Sequence, residues 1–214
     1  MLVSEWMSRD LVTLAPEDPV ARAADTMARH RVRRIPIVSQ GELLGIVTKS
    51  DVLRAAPPNL NPFSAAARSD PALAGPVEAI MTRPAVTIAG ESPLEAAAQL
   101  MVDRRIGGVP ATLAGRLAGM LTESDIFRAF TAGLVSREPG LRITIDVSRA
   151  SDPVAFAVEI ARRHRLRVGS VLPYVLQGQR RAVVRLVGAE PPGLVDELWQ
   201  AGHRVLSVIR IPPS

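Results

Sequence analysis

At 214 residues, with 47% hydrophobic and 22% charged residues, the chain has the composition of a globular protein with room for one large domain or two smaller ones. It contains no cysteine, which excludes disulfides and thiolate metal sites, and no uncharged stretch approaches the ~20 residues a membrane helix needs. The formal net charge of +5 arises after residue 140: up to that point 15 basic residues meet 15 acidic ones, and beyond it 11 arginines meet 6 acidic residues. The N-terminus carries Glu5 and no apolar segment of the secretory kind, so a cytoplasmic protein without a membrane association is expected.

In chain order, residues 11–14 read as a short strand. Asp18-Pro19 is a helix start, with Asp as cap and Pro in the first turn, and the helix runs to about Arg31 on the stripe Val20, Ala23, Ala24, Met27. Strands follow at 35–38 and 43–47 around a Gln40-Gly41 turn, and a second helix opens at Thr48. Residues 57–74 hold Pro57, Pro58, Pro62 and Pro71, a density that breaks long helices and reads as an extended linker.

After the linker the pattern returns. Gly45-Ile-Val-Thr-Lys-Ser-Asp51 reappears 74 positions on as Gly119-Met-Leu-Thr-Glu-Ser-Asp125, and at that shift residues 7–54 match 81–128 at 19 of 48 positions without a gap. The first two thirds of the chain is therefore a duplicated β-α-β-β-α unit, its second copy reading as a Ser92-Pro93 cap, a helix at 94–105, strands at 108–112 and 117–121 and a helix at 124–130. A short joint at Ser136–Gly140, with its Pro139-Gly140 pair, precedes a tail of different order: strand 141–147, a helix opened by Asp152-Pro153, strands 168–176 and 181–187, a helix from Pro191-Pro192 to Ala201 carrying Trp199 on its apolar stripe, and a strand at 205–211. That β-α-β-β-α-β order is the split ferredoxin-like arrangement.

Thr48-x-x-Asp51 and Thr122-x-x-Asp125 have capping-box spacing, and alone each says no more than that a helix starts there. Repetition behind a Gly-headed apolar strand adds a chemical reading. A carboxylate on the first helical turn can accept from two vicinal ribose hydroxyls, while a Thr hydroxyl and nearby amides suit phosphate. His30, His164 and His203 stand apart from paired carboxylates, and no Ser/His/Asp set or phosphate-cradling glycine loop occurs, so neither a metal site nor catalysis is expected.

On these residues the duplicated unit resembles a tandem pair of cystathionine β-synthase (CBS) domains, a Bateman module; the M-x-R-x-x-V-T opening, the helix with its Met, the apolar-Pro strand and the G-h-h-T-x-S-D block carry the resemblance. It implies an α+β fold: CBS repeats at 1–56 and 75–135, the linker at 57–74 between them, and an ACT-like ferredoxin-like domain at 140–214. It also implies a non-catalytic regulator binding AMP, ADP, ATP or S-adenosylmethionine between the repeats. Asp51 and Asp125 would hold ribose, Thr48 and Thr122 would face phosphates, Thr13 and Thr87 would lie near the nucleotide, and Ile35-Pro36 and Val109-Pro110 would wall the adenine. Lys49 and the pair Arg33-Arg34 are expected in one cleft, which would favour ligands with more phosphates because cations offset their charge.

The tail resembles ACT domains, with the segment 148–153 lacking the glycine such domains often carry after the first strand, so a dimerising or docking role stands beside effector binding. The whole order is similar to the acetoin-utilisation protein B family, which implies a link to acetoin or carbon metabolism, a homodimer and a regulated enzyme as partner. Readings of other classes are a nucleic-acid-binding regulator using the Arg-rich tail, disfavoured by the scarcity of aromatic residues for base stacking, and a structural scaffold that binds no small ligand.

Overall fold

The computed structural model describes residues 1–134, 138–147 and 152–212. The chain divides into two compact units, Met1–Ala129 and Phe130–Ser214. Residues 136 and 137 of the joint expected at 136–140, and residues 148–151 of the glycine-free segment at 148–153, fall outside the described residues.

The first unit opens with a short helix α1 (Val3–Trp6), followed by α2 (Val20–His30), the hairpin β1 (Arg34–Ser39) and β2 (Glu42–Thr48), and α3 (Lys49–Ala55). The second copy gives β3 (Ile88–Ala89), α4 (Leu94–Arg104), the hairpin β4 (Gly108–Leu113) and β5 (Arg116–Thr122), and α5 (Glu123–Leu134). Both hairpins turn through a pair of residues at positive φ, Gln40-Gly41 and Ala114-Gly115, the mirror-type turn whose twist suits antiparallel strands. Their registers also agree, with a bulge after Ile37 in one and after Ala111 in the other. The strand expected at 11–14 is reduced to a single parallel bridge between Leu14 and Ile37. It stops there because Asp18 Oδ2 accepts from the amide of Ala15 at 2.9 Å and turns the chain away; that same bond takes Asp18 from the capping role expected of it, and Pro19 stands at the cap.

The two copies exchange their opening segments. Residues 1–8 lie on the second repeat: Val3 N donates to Ser92 O (3.0 Å), Leu94 N to Met1 O (3.0 Å), and Ser8 and Met120 exchange amide-carbonyl bonds (2.8 and 2.9 Å). Seventy-four residues on, Val77 N donates to Asp18 O (2.8 Å), Val20 N to Gly75 O (2.9 Å), and Thr82 and Ile46 make the matching pair (2.9 and 3.1 Å). The side chains follow the backbone. Val3 and Met7 belong to the core of Leu94, Met101, Val109 and Leu121, whereas Val77 belongs to that of Val20, Met27, Ile35 and Val47. The repeats as folded therefore do not coincide with the repeats read along the sequence.

Residues 57–74 are not extended. They fold into single 3-10 turns at Ala65–Ser69 and Pro71–Leu73, with a third at Val77–Ala79 just beyond, and Ala67, Leu73 and Val77 are fully buried in the first repeat's core. Proline forbids a helix interior but not the first position of a single turn, and Asp70 caps the turn that Pro71 opens by accepting from Ala72 N at 2.9 Å.

The second unit runs β6 (Gly140–Asp146), α6 (Pro153–His164), β7 (Arg167–Leu176), β8 (Gln179–Val187), α7 (Leu194–Gln200), β9 (Val205–Ile211). The strands form one antiparallel sheet in the order β7-β8-β6-β9, and its core gathers Leu141, Ile143, Ile145, Val184 and Leu186 under Phe156, Ile160, Leu194 and Leu198 of the helices. Asp152 caps α6 through Val154 N and Ala155 N. Trp199 is not on the buried stripe of α7 but 54% exposed, because Leu194 and Leu198, four residues apart, define that stripe and the next residue points about 100° away. Four of the tail's arginines form ion pairs: Arg163 with Glu159 and Glu197, Arg167 with Glu138, Arg204 with Asp146 and Arg210 with Glu190.

Candidate functional site

The Gly-headed blocks form two equivalent strand-to-helix corners, β2 to α3 and β5 to α5. At the first, Asp51 Oδ2 accepts from Thr48 N (2.8 Å) and from Thr48 Oγ1 (2.6 Å), and Asp51 N donates to Thr48 Oγ1 (3.3 Å). Its Oδ1 is paired with Arg54. The second corner repeats this through Asp125, Thr122 (2.8 and 2.7 Å) and Arg128. Both aspartates are buried, so each is satisfied before any ligand arrives. Removing either carboxylate takes away a cap, a loss of about 1 kcal/mol in helix stability.

Two clefts flank these corners, and they are counterparts under the 74-residue shift. The larger, about 490 Å³, has Ser8, Val12, Arg31, Val32, Arg33, Arg34 and Pro36 on one side and Met120, Thr122, Glu123 and Ser124 on the other. The smaller, about 250 Å³, has Thr82, Val86, Arg105, Ile106, Gly107, Gly108 and Pro110 facing Ile46, Thr48 and Ser50. Each cleft thus joins the helix corner of one repeat to the pre-strand loop of the other, and the exchanged segment (Ser8 or Thr82) closes its floor. Segment exchange is what completes both sites. Hydroxyls from Thr and Ser, guanidinium groups from the loop and an apolar wall of Pro, Val and Met or Ile meet in one place. This combination accepts a flat ring on one side and an anion on the other.

Of the residues singled out from the sequence, Thr48, Thr122, Pro36, Pro110, Arg33 and Arg34 line these clefts. Ile35 and Val109 are fully buried in the repeat cores, behind their prolines. Thr13 and Thr87 are exposed and outside both clefts. Asp51 opens onto a separate depression of about 380 Å³ with Arg54, Ala55, Ile80 and Thr82, and Asp125 is not among the residues lining the larger cleft. Lys49 and Arg33-Arg34 do not share a cleft. Their backbones touch, Lys49 N donating to Arg33 O at 2.8 Å, but the Lys49 Nζ stands 4.8 Å over the Phe63 ring while both arginines reach the corner of the opposite repeat. Sequence reading passed over Ser8, Thr82, Val12, Val86, Arg31, Arg105, Ser50 and Ser124. Each recurs at the 74-residue spacing with identical or similar chemistry, which is the signal that could have found them.

The clefts differ most where Arg33-Arg34 face Gly107-Gly108. A side chain at Gly107 would collide with Arg34 Nη2 and would lie 2.8 Å from Glu123 Oε2; one at Gly108 would touch Arg34 Cδ at 3.4 Å. Gly107 therefore makes room for Arg34, which lines both clefts, while at Gly108 the nearest atom to an added Cβ is the Leu121 carbonyl oxygen at 3.0 Å. Burial holds its guanidinium below the ordinary arginine pKa, Glu123 opposes that shift and Arg33 adds to it. No group of three or more His, Cys, Asp and Glu able to hold a metal occurs among the described residues. Nor, among them, is any helix long and apolar enough to cross a membrane.

The CBS-domain family model matches residues 3–57 and 77–132. The uncharacterised protein MJ1225 of Methanocaldococcus jannaschii is 29% identical over 132 residues, 60% of this chain and 47% of that protein. The inosine-5′-monophosphate dehydrogenase of Korarchaeum cryptofilum is 28% identical over 141 residues, 65% of this chain and 26% of the enzyme. The chain spans about half or less of these two curated relatives. Among solved structures, the CBS domain pair of protein MJ0100 in complex with 5′-methylthioadenosine and S-adenosyl-L-methionine superposes with a TM-score of 0.52 at 28% identity, covering 62% of this chain and 97% of that one. A Vibrio cholerae protein assigned to acetoin utilisation gives 0.52 at 26% identity, covering 62% and 91%.

Proposed function

Because the chain belongs to the CBS-domain family, we propose that its first unit is a regulatory sensor that takes adenosine ligands into the two clefts between its exchanged repeats. The observation that carries this reading is the pair of clefts itself, each assembled from both repeats and each combining an apolar wall, hydroxyls and arginines. The MJ0100 pair, bound to two adenosine compounds, supports the ligand class. Pro36 with Val12 and Met120, or Pro110 with Val86 and Ile46, provides a wall for adenine. Ser124 and Thr122, or Ser50 and Thr48, face the polar part of the ligand, and Arg31 and Arg33, or Arg105, meet its phosphates. Asp51 and Asp125 reach ribose hydroxyls only by releasing Arg54 and Arg128, which makes them orienting groups of the corners first and ligand contacts second.

We read the second unit, from its β-α-β-β-α-β order and sheet order β7-β8-β6-β9, as an ACT-like output or effector module of the sensor, with acetoin or carbon metabolism as the process suggested by the Vibrio relative. A homodimer, with a regulated enzyme as its further partner, completes the reading. Leu53 and Phe127, one 74-residue step apart on α3 and α5, leave large apolar side chains in solvent, Phe127 69% exposed. A monomer in sedimentation velocity at micromolar concentration would remove the dimer.

The functional test is calorimetric titration of AMP, ADP, ATP and S-adenosylmethionine, repeated with Ser124→Trp and Ser50→Trp, which fill the larger and the smaller cleft without touching the caps. At least one ligand binds in the micromolar range, and one or both substitutions reduce the stoichiometry. Silence with all four ligands leaves the Thr-x-x-Asp blocks as helix caps and returns the module to a structural role.

A further inference from the structure

Resting on that reading, we propose that Arg34 is a cation shared by the two clefts, so that an anionic ligand held in one weakens the binding of an anionic ligand in the other. Among the arginines of the clefts the two copies part where the first repeat has Arg33-Arg34 and the second has Gly107-Gly108. The space left by the missing side chain of Gly107 is taken by Arg34 Nη2, and Arg34 Cδ lies in van der Waals range of a Cβ at Gly108. Arg34 is the arginine common to the linings of both clefts, whereas Arg31 and Arg33 belong to the larger and Arg105 to the smaller.

Arg34 is half-buried, so its charge is incompletely screened, and a single guanidinium near Glu123 has one positive charge to offer two phosphate groups. A phosphate entering the larger cleft draws the guanidinium towards Thr122 and Ser124 and away from Glu123. A phosphate entering the smaller cleft draws it towards Thr48 and Ser50. The side chain cannot satisfy both, and the coupling is reciprocal by thermodynamic necessity. Its expected size is about fivefold in affinity, the low end of allosteric couplings, because the group is not fully desolvated. A ligand without phosphate makes no such demand and binds the two clefts independently.

The test compares one cleft with its neighbour filled and with its neighbour blocked, which separates coupling from a mere difference between clefts. ATP is titrated into the full-length protein and into Ser124→Trp, with adenosine as the uncharged probe and Arg34→Gln as the uncoupled background. The smaller cleft binds ATP at least about fivefold more tightly in Ser124→Trp than in the wild type with its larger cleft saturated, adenosine shows less than a twofold difference, and Arg34→Gln abolishes the gap. A wild type that takes up a single ATP but gains binding in the second cleft once the first is blocked gives the same support if Arg34→Gln restores the second site. No gap with ATP, a gap that survives Arg34→Gln, or a second cleft that stays silent when the first is blocked overturns the coupling while leaving the sensor intact. Absence of any ATP binding in the wild type and both blocked variants overturns the sensor reading and the coupling with it.

Discussion

Gly119→Val lowers the unfolding free energy of the first unit by about 2–3 kcal/mol, measured by urea denaturation, while Gly75→Ala, at an exposed position of the same unit, changes it by less than about 0.5 kcal/mol. The difference comes from what lies above each Cα. A Cβ on Gly119 would stand 2.7 Å from Met7 Cγ and 2.9 Å from the carbonyl oxygen of Ser8, and that backbone cannot withdraw without breaking its paired bonds to Met120. The mirror position, Gly45, meets Met81 Sδ and the Thr82 carbonyl oxygen at 2.7 Å each and carries the same expectation, whereas a Cβ on Gly75 would meet nothing within 4 Å. Val at 119 must push the exchanged segment off the second repeat, and with it Val3 and Met7 out of that repeat's core. A Gly119→Val protein within 0.5 kcal/mol of the wild type would show that residues 1–8 do not pack on β5 in solution.

Leu73→Ala costs about 3 kcal/mol in the same measurement. Leu73 is fully buried among side chains of the first repeat, and removing three carbons from a closed site loses their transfer free energy and leaves a cavity. An extended linker would give a different answer, since an exposed Leu→Ala change is ordinarily within about 0.5 kcal/mol. The two outcomes are far enough apart for denaturation to decide. A loss under 0.5 kcal/mol would mean that residues 57–74 connect the repeats without belonging to either.

These two substitutions fall where the structure departs from the sequence reading or adds to it, and the reasons are physical. The 74-residue repeat was legible because packing and turn requirements impose the same residues twice: a Gly under a Met, a Pro in the first strand of each hairpin, a mirror-type turn at Gln40-Gly41 and Ala114-Gly115. The same symmetry hides the exchange. Met7 and Met81 match each other whether each packs on its own copy or on the other, so no comparison of the copies can reveal which glycine each covers. Prolines at 57–71 correctly excluded a long helix but say nothing against single 3-10 turns, whose buried positions follow no helix or strand period.

The candidate site was legible to a similar depth. Thr48, Thr122, Pro36, Pro110, Arg33 and Arg34 line the clefts, because corners and pre-strand loops are local features. The pairing of corner with loop across the repeats is not local, and that is why Lys49 was grouped with the wrong arginines and Ser8 and Thr82 were passed over. Chain adjacency between Lys49 and Arg33 holds for the backbone alone; their side chains leave in different directions.

Photolabelling the protein with 8-azido-ATP and mapping the modified peptides shows whether adenosine ligands lie between the exchanged repeats. Ligands there leave label confined to peptides bearing the apolar walls, around Val12, Pro36 and Met120 for the larger cleft and Ile46, Val86 and Pro110 for the smaller, and displaced by unlabelled ATP. ATP-displaceable label found instead in residues 140–212 would contradict that placement and move ligand recognition to the second unit.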